Sequence, residues 1–315
     1  MNDVMISARG LVKTFGKSRA LDGLDLEVNR GDVFGFIGRN GAGKTTTLRI
    51  LATLLQPTAG EASVAGHDIR RDAVAVRRAI GYMPDSFGVY EDMVVADYLS
   101  FFAAAYGIRG APAKQVVTDV LELVDLSSRR DVLVKTLSRG MQQRLGLART
   151  LVHDPDVLLL DEPASGLDPG ARIEVRELVR ELARMGKTIL LSSHILHELG
   201  DLCSRIAIVE RGRMLFSGSI AEVLARVQKE HIVRLRVASG DENRALEIIR
   251  TVDGVLCADA HDGEIVVEMT TEMTETWRIP QALVAANLRL VAMGEDDVDL
   301  EDVFLRVTAE IEDPA

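Results

Sequence analysis

Gly38-Arg39-Asn40-Gly41-Ala42-Gly43-Lys44-Thr45-Thr46 is the stretch whose reading decides the fold. It follows the apolar run Val33-Phe34-Gly35-Phe36-Ile37, which predicts a strand, and precedes Thr47-Leu48-Arg49-Ile50-Leu51, whose spacing predicts a helix. Between two such elements, glycines at 38, 41 and 43 let the backbone curl until successive N–H groups face one anion. The helix behind them adds the positive end of its dipole. The stretch 38 to 46 therefore predicts a nucleotide phosphate cradle, with Asn40, Ala42 and Thr46 in its wall. Lys44 is placed to reach the β and γ phosphates, and the Thr45 hydroxyl to sit on Mg2+.

Outward from the loop, residues 4 to 37 predict strands and turns, with Leu24-Asp25-Leu26-Glu27-Val28 in period-2 alternation. Phe15, at the end of the first strand, precedes the loop closely enough to stack on a nucleotide base; the alternative is a plain core aromatic. Downstream, a helix over about 72–78 leads through Ala79-Ile80-Gly81-Tyr82-Met83 to Pro84-Asp85. From Val94 to about Ile108 the spacing is helical, with Tyr98, Phe101, Phe102 and Tyr106 in an aromatic stripe that reads as core or as a docking groove. Further helices are expected over about 113–126 and 139–152. Val157-Leu158-Leu159-Leu160 is a continuous apolar run before Asp161-Glu162-Pro163 and fits a central parallel strand buried on both faces. Carboxylates leaving the carboxyl end of such a strand stand where an α/β sheet places its ligand. A helix over about 171–185, the strand Thr188–Ser192 and Ser193-His194 form another strand-and-helix unit, and a hairpin turns at Glu210-Arg211-Gly212. A helix in the linker 219–230 then leads to residues 231–315. Their strand and helix signals fall in the order βαββαβ, a split ferredoxin-like arrangement, with an acidic helical tail over about 300–309.

Composition narrows the classes. The chain has 315 residues, 47% of them hydrophobic and 27% charged, which predicts an ordinary globular protein of two domains rather than a disordered one. Its net charge of −11 lacks the basic footprint that sequence-independent nucleic-acid binding requires, so no nucleic-acid partner is expected. Cys203 and Cys257, the two cysteines, belong to no CxxC pair and are expected as buried thiols in a reducing compartment. No apolar stretch reaches the ~18 residues that span a bilayer, and the N-terminus lacks a basic region followed by an apolar one. A cytoplasmic location follows as an expectation, with any membrane part supplied by another chain.

Taken together and in order, these stretches resemble the ATP-binding cassette ATPases over about the first 218 residues, and in particular exporter ATPases of the drug-resistance and sodium-efflux type. The resemblance implies a P-loop NTPase nucleotide-binding domain over 1–218, with a helical subdomain at about 86–150 and a small C-terminal α+β domain. The loop at 38–46 matches Walker A. Val157 to Glu162 resembles Walker B, in which Asp161 holds Mg2+ and Glu162 polarises the attacking water. Ser165-Gly166-Leu167-Asp168 resembles the D-loop, and His194 the switch histidine that contacts the γ-phosphate. Leu137-Ser138-Arg139-Gly140-Met141 resembles the family signature, whose Ser138 and Gly140 would press on the γ-phosphate held by an opposite subunit. The catalytic set implied is Lys44, Glu162 and His194, and the metal set is Thr45, Asp85 and Asp161. ATP and Mg2+ would be held between two such chains, beside a separate membrane permease.

Two departures stand out. Arg139 and Met141 replace the more usual Gly and Gln of the signature, and Asp85 occupies the place of the usual glutamine after Gly81-Tyr82-Met83-Pro84. A carboxylate is a harder metal ligand than an amide, so Asp85 is expected still to sense the metal while tightening its coupling to the helical subdomain that follows. A competing class, an ATPase of this family acting on ribosomes or DNA, fits less well, because this chain carries neither a second cassette nor a long coiled-coil insertion.

Overall fold

Period-2 alternation over residues 4–29 produces two long strands, β1 (Val4–Phe15) and β2 (Ser18–Asn29), which pair antiparallel. Met5, Ile6, Leu11, Leu24, Leu26 and Val28 are all buried and join one hydrophobic core. In the computed structural model, the described residues are 3–86, 88, 90–194, 202–222, 230–238, 240–261, 264–270 and 276–295. They separate into two units, Met1–Ile220 and Ala221–Ala315.

The first unit continues with β3 (Val33–Ile37), α1 (Lys44–Leu51), β4 (Ala59–Val64), β5 (His67–Asp68), α2 (Ala73–Ala79) and β6 (Ile80–Met83). Three helices follow, α3 (Val95–Ala105), α4 (Ala111–Leu123) and α5 (Arg139–Leu151). Then come β7 (Val157–Asp161), α6 (Pro169–Arg184), β8 (Thr188–Ser193), β9 (Arg205–Glu210) and β10 (Arg213–Ser219). Two sheets result, a four-stranded one in the order β2-β1-β4-β5 and a six-stranded one in the order β10-β9-β3-β8-β7-β6.

The six-stranded sheet positions the site. Its pairs β3–β8, β3–β9, β6–β7 and β7–β8 are all parallel, so the carboxyl ends of β3, β6, β7 and β8 emerge along one edge. All five residues of β3 and of β7 are buried, as the unbroken apolar runs require of strands covered on both faces. Truncating one of these leucines to alanine would cost about 2–5 kcal/mol. Helix α6 starts where Asp-Pro stands in the sequence: the Asp168 carboxylate accepts from the Ala171 N–H at 3.0 Å, and Pro169 opens the first turn without needing a donor.

The aromatic stripe of α3 divides between the two readings it allows. Tyr98 is fully buried, while Phe101 is 51% and Tyr90 54% exposed. Their rings meet edge-on at 5.7 Å, and Tyr98 meets Phe102 at 5.0 Å. One expectation is corrected: Cys203 is buried, but Cys257 is exposed. Cys257 pairs opposite Glu268 on the face of the sheet away from the helices, a side that period-2 alternation alone does not choose.

The second unit contains β11 (Glu230–Val237), α7 (Glu242–Ile249), β12 (Val255–His261), β13 (Glu264–Thr270), α8 (Arg278–Ala285) and β14 (Leu290–Glu295). Its four strands stand in the order β12-β13-β11-β14, antiparallel throughout. Val233, Leu235, Ile265, Val267 and Met269 form a separate core with Ile249, Ile279 and Leu283 of the helices. The expected tail helix at about 300–309 and most of the linker, 223–229, lie outside the described residues.

Candidate functional site

The loop after β3 is pinned from behind. A Cβ at Gly38 would overlap the Val209 carbonyl of β9, so a side chain there is excluded. Gly43, the residue before α1, has φ +111°, which an L side chain rarely adopts. Gly212, in the turn between β9 and β10, donates its N–H to the Ala42 carbonyl at 2.9 Å, and its own carbonyl accepts from the Asp22 N–H at 2.9 Å. That turn is clamped by the Asp22 carboxylate, which takes Arg213 at 2.6 Å and Arg19 at 2.7 Å. The Arg213 hydrogen bond holds the Asp22 carboxyl below its ordinary range.

The pocket in front of this loop is walled by Asn40, Gly41, Gly43, Lys44, Thr45 and Thr46. Across from them stand Asp85, Glu162, Ser165 and His194. Lys44 is 6% exposed. Its ammonium donates to the Gly38 carbonyl at 2.5 Å and lies 3.3 Å from Glu162 Oε1. The other Glu162 oxygen, Oε2, lies 2.8 Å from His194 Nδ1. Glu162 thus stands between a fixed cation and an imidazole, at φ +50°. A non-glycine residue there costs roughly 1–2 kcal/mol, and its neighbours hold it in place. The Ser192 hydroxyl accepts from the Glu162 N–H at 3.0 Å, and the Glu162 carbonyl accepts from the Ser165 N–H at 3.0 Å.

Asp161 ends β7 fully buried. Its Oδ1 accepts from the Thr45 hydroxyl at 3.1 Å and from the Ser192 hydroxyl at 2.8 Å. Its Oδ2 is buried with no hydrogen-bond partner. Burial raises the Asp161 carboxyl above its ordinary value, the Ser192 and Thr45 bonds pull it back, and the charges of Asp85 and Glu162 raise it again. A buried carboxylate oxygen without a donor costs free energy unless a cation or donor meets it. A divalent cation between Asp161 and the Thr45 hydroxyl suits that need. Among the described residues no group of three His, Cys, Asp or Glu is placed to hold a metal, so such an ion would draw most of its other ligands from phosphate and water.

Other residues singled out in the sequence lie elsewhere. Phe15 is 50% exposed and outside the pocket wall, with the Lys13 ammonium 4.9 Å from its ring centroid. Ser138 caps α5, its hydroxyl accepting from the Met141 N–H at 3.3 Å. Gly140 is pressed against α6, where a Cβ would come 2.9 Å from that of Ala171. Asp168 caps α6. None of these three lines the pocket. Ser192, which ties Asp161 to the Glu162 backbone, was not legible in advance. Its only signal was its place at the end of an apolar strand two residues before His194.

Comparison with known proteins identifies the family. Residues 21–165 match the ABC transporter family. The chain is 36% identical over 310 residues to the daunorubicin resistance ATP-binding protein DrrA3 of Streptomyces coeruleorubidus, covering 98% of both. It is 35% identical to the Nod factor export ATP-binding protein I of Ralstonia nicotianae, covering 96% of this chain and 94% of that one. It is 32% identical to the bacitracin transport ATP-binding protein BcrA of Bacillus licheniformis, covering 96% and 97%. Among solved structures, the ATP-binding subunit of an ABC transporter superposes with a TM-score of 0.64 at 28% identity, over 71% of this chain and 93% of that one.

Proposed function

Since this chain belongs to the ABC transporter family of ATP-binding proteins, we propose that it hydrolyses ATP to drive an exporter whose membrane permease is a separate chain. The observation that carries this reading is the convergence of Lys44, Thr45, Asp161, Glu162 and His194 on one pocket at the edge of a parallel sheet. Relatives named for daunorubicin resistance, Nod factor export and bacitracin transport support export. No helix among the described residues is long and apolar enough to cross a membrane. That is consistent with a peripheral subunit held at the cytoplasmic face by its permease.

Each residue takes a role that its position allows. The loop N–H groups and Lys44 bind the terminal phosphates, and Lys44 exchanges Glu162 for phosphate as its partner. Thr45 and Asp161 would hold Mg2+, with Asp85 across the pocket as a further oxygen ligand. Bound there, Mg2+ supplies charge neutralisation on the phosphates. Glu162 accepts the proton of the water that attacks the γ-phosphorus, and ADP leaves as the bond to the bridging oxygen breaks. His194 orients Glu162 and the water through its 2.8 Å contact. Ser138, Gly140 and Asp168, away from this pocket, face a second subunit in a head-to-tail dimer that completes the site.

Phosphate release across a dilution series tests the reading. Wild-type activity per molecule is expected to fall steeply on dilution, and Glu162→Gln to bind ATP while losing at least about a hundredfold in turnover. Asp85→Ala, in the same assay, should raise the Mg2+ concentration needed for half-maximal turnover. Absence of wild-type turnover at any concentration, or constant activity per molecule far below self-association, overturns the proposal.

A further inference from the structure

Between Glu162 and the start of α6, three alternate carbonyls are held by side chains of two different helices. The buried Gln143 amide of α5 donates to the Pro163 carbonyl at 2.7 Å. The Arg139 guanidinium, one turn earlier on the same face of α5, reaches the Ser165 carbonyl at 3.5 Å. Arg172 of α6 donates to the Leu167 carbonyl at 3.0 Å. Gly166 lies in this run with φ +65°, and a Cβ there would overlap the Arg139 guanidinium, so the arginine head occupies the space that glycine leaves.

We infer that Arg139 is a positioning residue, which clamps the 163–167 segment onto the start of α5 and thereby holds Glu162 and Ser165 in place at the nucleotide pocket. The inference deepens the hydrolytic reading above and rests on it for its effect on turnover. The physical path is short. Ser165 lines the pocket and hydrogen-bonds back to the Glu162 carbonyl at 3.0 Å, and Glu162 sits at φ +50°, a conformation its surroundings must maintain. Glycine at position 139 could not make this clamp. A planar guanidinium packed over a glycine backbone makes a flat contact that a lysine ammonium cannot reproduce. Arg139 itself is exposed, so replacing it leaves the core of α5 intact.

The test uses the full chain and two readouts. In Arg139→Ala, hydrogen exchange of the Ser165 and Leu167 amides is expected to quicken while the interior of α5 exchanges as before. The same variant should lose roughly five- to tenfold in kcat, as for one ordinary hydrogen bond, with KM for ATP within about twofold. Arg139→Lys should recover only part of the loss. Gly166→Ala sets a Cβ against the guanidinium; in that background Arg139→Gly is expected to raise turnover, the reverse of its effect alone. Unchanged exchange in the 163–167 segment, or equal losses from Arg139→Gly in both backgrounds, overturns the clamp. A wild-type chain without ATP turnover would overturn the proposed function instead, and the exchange comparison would still decide the clamp.

Discussion

The phosphate-loop pocket and the start of α5 both carry groups suited to anions, yet their polar groups are committed differently. In the pocket, Lys44, Glu162 and His194 are joined in one chain of contacts at 3.3 and 2.8 Å, and Asp161 keeps a buried oxygen without a donor. At the start of α5, the Ser138 hydroxyl is already a helix cap and Gly140 is packed on Ala171. A capping hydroxyl accepts one N–H and still has its own proton to donate. The first region is assembled within one polypeptide; the second presents leftover donors outward. That difference is what the second subunit proposed above would use.

The largest expected effect tests the first region. Lys44→Ala removes the cation that faces Glu162 and should lower turnover by about a hundred- to a thousandfold in a phosphate-release assay. Lys44→Arg should not restore it, because the guanidinium fork cannot replace a compact ammonium between the Gly38 carbonyl and a phosphate. Turnover near wild type in either variant would remove the pocket from the chemistry. A smaller effect tests the second region. Ser138→Ala loses the cap, worth about 1 kcal/mol of stability by thermal unfolding, and should lose roughly tenfold in turnover. Ser138→Asp keeps a capping oxygen but adds a charge facing a phosphate, so stability should return while turnover does not. An aspartate variant as active as wild type would reduce Ser138 to a cap alone.

The smallest effect lies just beyond the other end of α5, remote from both regions. His153 stacks on Tyr106 with centroids 3.7 Å apart, and its Nε2 meets the Ile80 carbonyl at 2.9 Å. Burial lowers its pKa below the ordinary 6.5, against a smaller opposing pull from that carbonyl. The folded chain therefore keeps the ring neutral while the unfolded chain takes up a proton. Its contribution is fully present above pH 6.5 and is lost as pH falls through the folded value. Urea unfolding at stepped pH should show stability declining below pH 6.5, a decline that His153→Phe flattens. An unchanged slope in that variant would assign the decline to another group.

Much of the first region was readable in the residues. Glycine spacing before Lys44 named the cradle because only a few backbones put several N–H groups on one anion, and the unbroken run Val157 to Leu160 named a strand covered on both faces. Ser192 was not readable, since a serine closing a strand carries no pattern of its own until the register places it opposite Asp161. Nor was the seat of Arg139. In the sequence it was a departure from a familiar signature, and only the approach of the 163–167 segment gave its guanidinium something to hold.

The resemblance to the ATP-binding cassette ATPases named the charged residues expected at the pocket, whereas local pattern by itself determined the cradle, the buried strands and the helix that becomes α6. These follow from backbone sterics and from side-chain period, which act between neighbours in the chain. Which oxygen of Asp161 stays without a donor, which carbonyls Gln143, Arg139 and Arg172 hold, and on which side of its sheet Cys257 lies were decided only by the tertiary structure. Each depends on contacts between segments far apart in sequence, where packing and hydrogen-bond satisfaction select one arrangement from many that the local pattern permits.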